Sequence, residues 1–175
     1  MTTRFERAFQ QLLKWEGGLV HNPADPGGWT KFGVSLRWLQ TVGVDITGDG
    51  VVDERDIKAL TPAKAEGLYH KFFWDDEYDR LQSDAVALYV FDMDCNMGQD
   101  RAHRIAQEAA NALGARLTVD GKLGPKSVAA LNAVDQAALL ERMRELRSTY
   151  YRNLATQKPA LAVFLKGWLD RAAHA

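Results

Sequence analysis

Ser83-Asp84-Ala85-Val86-Ala87-Leu88-Tyr89-Val90-Phe91 is the stretch on which the fold turns. From Ala85 to Phe91 it is apolar on nearly every side of a 3.6-residue period. A surface helix with one apolar stripe does not look like this, and neither does an alternating strand. It predicts a buried central helix over about 83–97, with Ser83 as its N-cap. Upstream, Thr61-Pro62 supplies an N-cap and a proline at the first helical position of a helix running to about Phe73. Ser35 caps a short helix through Val42. Thr3 and Glu6 have the spacing of a capping box, and Phe5, Phe9, Leu12 and Leu13 form an apolar stripe that Gly17-Gly18 brings to an end. Downstream come helices over Asp100–Leu113, from Pro125, from about Asp135 to Gln157, and after Pro159. Residues 19–34, with the turn Asp25-Pro26-Gly27-Gly28, break the helical pattern, and they suit a short β-hairpin. The chain reads as all-α or strongly α-dominated.

The 175 residues are 46% hydrophobic and 26% charged, the balance of a globular chain. The formal net charge of -1 excludes a strongly cationic nucleic-acid binder. That figure hides a gradient. Residues 1–95 carry 16 acidic and 10 basic side chains, and residues 96–175 carry 7 and 12. A basic second half suits an anionic polymer as partner. No apolar run approaches a membrane span, and the N-terminus has no signal-peptide core, so synthesis in the cytoplasm is expected. The single Cys95, in an apolar run, reads as a packed thiol.

Glu16 falls on the same helical face as Phe9 and Leu12. Desolvation there, together with the negative end of the helix dipole, disfavours the carboxylate anion. A general acid needs that setting. Asp25 follows in a polar turn where it stays ionised, and Thr30 offers a hydroxyl to orient water. Two carboxyls in contrasting environments equip a chain for glycoside hydrolysis. Trp15, Trp29 and Phe32 are candidate sugar-stacking rings, and His21 lies between the two carboxyls in sequence. Spacing alone favours an ordinary helix end for Glu16 and an ordinary turn former for Asp25.

The segments Trp15-Glu16-Gly17-Gly18-Leu19-Val20, Pro23-Ala24-Asp25-Pro26-Gly27-Gly28-Trp29-Thr30 and Phe32-Gly33-Val34-Ser35 resemble the signature of glycoside hydrolase family 108, a family of N-acetylmuramidases. The resemblance implies a mainly α, lysozyme-like fold with a small β-hairpin near the active site. It makes Glu16 the catalytic acid. The Glu, Asp, Thr order is similar to the trio of small phage-type lysozymes, which implies Asp25 and Thr30 as water-positioning partners. The segments Asp120-Gly121-Lys122-Leu123-Gly124-Pro125-Lys126 and Gly167-Trp168-Leu169-Asp170-Arg171 resemble the family's companion peptidoglycan-binding module. Residues 1–97 are thus expected to be the catalytic region and 98–175 a helical peptidoglycan-binding region, packed as one unit.

Residues 45–56 carry a second pattern. Read as a twelve-residue loop, Asp45, Thr47, Asp49, Asp53 and Asp56 place side-chain oxygens at positions 1, 3, 5, 9 and 12. Gly50 sits at the sharp bend, and Val51 would offer its carbonyl. This is calcium-loop spacing, similar to the dockerin-type variant, and it predicts a structural Ca2+ that the chemistry does not need. The alternative is a solvated acidic turn. The four histidines (His21, His70, His103, His174) have no zinc-site spacing. Arg142, Arg144 and Arg147 read mostly as a solvated face of the long helix.

These features lead to one expectation: a muramidase cleaving the β-1,4 bond between N-acetylmuramic acid and N-acetylglucosamine in peptidoglycan. Glu16 is the acid, and Asp25 with Thr30 positions water for inversion. If the two carboxyls lie close, Asp25 becomes a nucleophile and the configuration is retained. The competing readings are a lytic transglycosylase and a non-catalytic, calcium-stabilised peptidoglycan binder. A bacteriolytic endolysin acting as a monomer is expected, reaching the wall by holin-type release or dedicated secretion, without nucleic acid or membrane insertion.

Overall fold

A computed structural model describes residues 2–16, 18–21 and 28–175, for His21 the backbone only. Helices dominate, as the periodicity predicts, and among the described residues the strands form one three-stranded antiparallel sheet. By its internal contacts the chain forms two packing units, residues 9–72 and residues 1–8 with 73–175, with one division falling inside the first helix. That helix, α1 (Arg4–Leu12), opens with the expected reciprocal box: Thr3 N donates to Glu6 Oε2 at 2.7 Å and Glu6 N to Thr3 Oγ1 at 3.1 Å.

In the unit of residues 9–72, β1 (Val20–His21) pairs with β2 (Trp29–Lys31), which pairs with β3 (Val34–Ser35). The hairpin between β2 and β3 turns through Phe32 and Gly33 alone, at φ 52° and 75°. Positive φ at both central residues is the geometry whose twist matches that of the flanking strands. Glycine adopts it freely, whereas phenylalanine does so at a cost on the order of 1 kcal/mol. Ser35 then caps α2 (Leu36–Val42), accepting from Trp38 N, and Gly43 at φ 65° ends it. Asp53 caps α3 (Glu54–Ala59), and α4 (Pro62–Phe73) starts on the proline. Lys31 Nζ donates to the Lys58 and Leu60 carbonyls at 2.9 and 2.7 Å, tying β2 to the end of α3. Phe9, Leu12, Leu39, Ile57, Ala65 and Tyr69 are buried here.

In the other unit, a 3-10 segment at Asp76–Arg80 leads to α5 (Asp84–Met97), capped by Ser83 through Val86 N. Every residue of α5 from Tyr89 to Asp94 is buried, as an all-round apolar helix requires. It packs against α6 (Gln99–Ala112) and α8 (Gln136–Gln157), with α7 (Pro125–Ala133) between them in sequence. A 3-10 segment, Pro159–Phe164, precedes the last helix, α9 (Leu165–His174). The contacts thus group α5 with the helices that follow it, whereas the sequence division at 97/98 assigns it to the preceding region.

Candidate active site

Glu16 lies beyond the end of α1 rather than on its last turn. After Leu12 the chain tightens, with Lys14 N on Gln11 O at 3.1 Å and Trp15 N on Leu12 O at 2.9 Å. Glu16 N reaches back to Leu12 O at 3.2 Å, which keeps the residue tethered to the helix. Its half-buried side chain turns to the β2–β3 hairpin. A Cβ built on Gly33 would lie 2.7 Å from Glu16 Oε2, 2.8 Å from its Cδ, and against the Tyr69 hydroxyl. The carboxyl therefore occupies space that any side chain at 33 would fill. Tyr69, in the middle of α4 and 5% exposed, packs its ring on Phe9 at 5.5 Å. Its hydroxyl donates to the Phe32 carbonyl at 3.2 Å.

Thr30 is in β2, paired with Val20 on one side and Ser35 on the other, so the hairpin that receives Glu16 also carries the proposed water-orienting hydroxyl. Asp25 and the side chain of His21 lie outside the described residues. Trp15, Trp29 and Phe32 are all partly exposed. Lys58 Nζ stands 4.6 Å over the Trp29 ring and Lys31 Nζ 5.5 Å from the Phe32 ring, cations placed against ring faces. Sequence reasoning missed Tyr69. Its position on the apolar side of α4 reads as core, which it also is. Gly33 was visible within the motif, but not the reason for it.

The loop at 45–56 is held by its own carboxylates. Asp45 accepts from Gly48 N at 2.6 Å and Gly50 N at 2.7 Å, and these amides hold its carboxyl below the usual range. Thr47 Oγ1 donates to Asp45 at 3.2 Å, and Asp49 accepts from Val51 N at 3.0 Å. Asp56 is fully buried. Burial opposes its anion, but the amides of Asp53, Thr47 and Ile46, at 2.8–3.0 Å, outweigh that and hold its carboxyl low. Arg55, unremarked in the sequence, bridges the rest: Nη1 lies 2.7 Å from Asp49 and Nη2 2.8 Å from Asp53. The donors are hard oxygens of the kind calcium takes. As arranged, however, a guanidinium spans two of them, and among the described residues no three acidic, histidine or cysteine side chains converge as a metal requires.

Two buried polar networks belong to the other unit. Arg147 is fully buried and not part of a solvated face; it pairs with Asp92, which Arg171 also engages. The signal was its place on the i, i+4 stripe Leu139, Met143, Arg147, Tyr151, Ala155, all buried. His103, also buried, contacts Tyr78 and the Gly121 carbonyl.

The fold is mainly α and lysozyme-like, and comparison with known proteins supplies its class, a glycoside hydrolase of the muramidase type. Residues 9–98 match Glycosyl hydrolase 108 and residues 101–173 match Predicted Peptidoglycan domain. The chain belongs to glycosyl hydrolase family 108 and is a peptidoglycan hydrolase. Among solved structures it is similar to one titled "Structure of Brucella abortus SagA", at 28% identity and a TM-score of 0.76, covering 97% of this chain and 89% of that one. No curated protein matches. Among the described residues no helix is long and apolar enough to cross a membrane.

Proposed function

We propose that the enzyme is an N-acetylmuramidase that cleaves the β-1,4 bond between N-acetylmuramic acid and N-acetylglucosamine. Glu16 protonates the leaving glycosidic oxygen. Asp25, with Thr30, holds the attacking water on the opposite face of the sugar, so that the configuration inverts. The observation that carries this reading is the seating of the Glu16 carboxyl at Gly33, on the hairpin that contains Thr30. Hydrolysis of wall glycan makes the enzyme bacteriolytic wherever it reaches peptidoglycan, as an endolysin does. A Ca2+ in the 45–56 loop is part of the proposal as a structural ion. It would be held by Asp45, Thr47, Asp49, Asp53, Asp56 and the Val51 carbonyl, and its entry requires Arg55 to leave Asp49 and Asp53.

The test is product analysis on purified peptidoglycan. Wild type should release fragments with reducing N-acetylmuramic acid ends, and Glu16→Gln should release none while melting at the wild-type temperature. 1,6-Anhydro ends would instead make the enzyme a lytic transglycosylase. An active Glu16→Gln variant would remove Glu16 from the mechanism.

A further inference from the structure

The Phe32-Gly33 turn places a phenylalanine where the hairpin demands a left-handed residue. Phe32 sits at φ 52°, a left-handed conformation that phenylalanine rarely adopts, and its carbonyl accepts a hydrogen bond from a side chain 37 residues away. Such strain persists only where the surroundings over-determine it. Here Tyr69 adds to what the β2–β3 pairing already imposes. Its ring is locked by burial against Phe9, and its hydroxyl reaches the Phe32 carbonyl. The same hydroxyl and the Glu16 carboxyl both crowd the one side of Gly33 where a Cβ would stand. The strained turn, the buried phenol and the acid therefore meet at a single point.

We propose that Tyr69 is the positioning residue for Glu16: its hydroxyl fixes the Phe32-Gly33 turn and walls the Glu16 carboxyl into the space left by the missing Gly33 side chain. The inference rests on Glu16 being the acid. The physical need is plain, because Glu16 stands past the end of α1 and the helix alone does not fix its side chain. An acid must lie within hydrogen-bond reach of the oxygen it protonates, and a displacement of about 1 Å can cost on the order of 100-fold in rate. Gly33 serves the same end from the other side, because any side chain there would evict the carboxyl.

The test compares wild type, Tyr69→Phe and Gly33→Asn on purified peptidoglycan, with Glu16→Gln as reference. Asparagine tolerates the left-handed backbone better than other side chains do, so Gly33→Asn keeps the turn while adding a Cβ. Tyr69→Phe keeps the ring and removes the hydroxyl. We expect kcat to fall roughly 10- to 100-fold in both, with KM within about twofold of wild type and cooperative melting retained. A purely structural role would lower the melting temperature and leave the kcat of the folded fraction intact. That result, or wild-type kcat in Tyr69→Phe, would overturn the inference. Should Tyr69→Phe fail to fold, Gly33→Asn decides alone, and wild-type kcat there refutes it. Activity in Glu16→Gln would instead sink the assignment of the acid. Inactivity of Glu16→Gln beside a fully active Tyr69→Phe would sink only the role of Tyr69.

Discussion

Tyr78 has one phenolic proton and two partners for it. Its hydroxyl lies 3.0 Å from Asp94 Oδ2 and 2.9 Å from His103 Nε2. His103 Nδ1 faces the Gly121 carbonyl at 3.2 Å, which can only accept, so Nδ1 carries a proton. With an ionised Asp94 and a neutral His103, one of the two contacts to Tyr78 lacks a hydrogen, and a further proton completes the trio. Burial supplies the bias: it pushes the Asp94 carboxyl up to about 7, with Asp75 adding to the rise, and it pushes His103 down. A carboxyl whose folded pKa is raised contributes stability that is full below about pH 4 and is lost as pH rises through about 7. The gap between 3.8 and about 7 is worth at most ~4 kcal/mol. Depression of His103 acts in the opposite sense, removing stability as pH falls below its ordinary value. Asp94→Asn should therefore melt higher than wild type at pH 8, and the gain should vanish by pH 4.5. Calorimetry at the two pH values decides it, and a gain of equal size at both would refute the coupling. At this scale legibility was uneven. Glu16 and Thr30 stood in a motif, and the structure puts Thr30 on the hairpin that seats Glu16. Tyr69 lies 53 residues further along the chain from Glu16, and contact across that distance leaves no local pattern. Asp92 and Asp94, ionisable groups inside an all-apolar helix, were signals that went unread.

Elements were more legible than their ends. Ser35 and Ser83 cap the helices their chemistry announces, and Pro62 and Pro125 open theirs, because capping depends on neighbours within four residues. The end of α1 was misplaced because a tightened last turn uses the same residue types as a regular one. In the 45–56 loop, spacing fixes which oxygens are available but not what lies between them. Arg55 is the competitor that spacing cannot reveal: its single positive charge is already shared between Asp49 and Asp53. If calcium binds the native chain alone, it raises the melting temperature through mass action, and displacing Arg55 subtracts from its affinity. Millimolar calcium should therefore raise the melting temperature of the wild type, and raise that of Arg55→Gln further. Chelator should reverse both shifts. No calcium-dependent shift in either protein would leave the loop as an arginine-closed turn.

At the scale of the whole molecule, the chain carries one more positive partner in its interior than one carboxylate balances. Asp92 on α5 accepts Arg171 Nε at 3.0 Å and Nη2 at 2.9 Å from α9, and Arg147 Nη2 from α8 stands 2.8 Å away. Three helices thus meet on one side chain. The excess charge is spread over rings, the Arg147 guanidinium lying 5.2 Å from the Tyr89 ring and 5.7 Å from that of Tyr151. Burial favours loss of the Arg147 proton, but Asp92 more than offsets it and keeps the group charged. The arrangement also explains why contacts group α5 with the later helices although the Glycosyl hydrolase 108 match ends at residue 98: a helix apolar all round must be covered on every side, and α6, α8 and the Asp92 pairs cover it. A residue pattern can announce that α5 is buried, but only the assembled helices show by what. The two partners are not equivalent, and that gives an ordering to check. Asp92→Asn strands two buried guanidinium groups and should cost about 3–5 kcal/mol, a fall in melting temperature of roughly 10 °C for a chain of this size. Arg147→Met leaves the Asp92–Arg171 pair intact and fills the same volume with an apolar chain, so it should cost clearly less. Thermal melts of the two variants beside wild type, at one pH, settle the order. If Arg147→Met proves the more damaging, the ring-stacked guanidinium and not the carboxylate is what holds α5, α8 and α9 together.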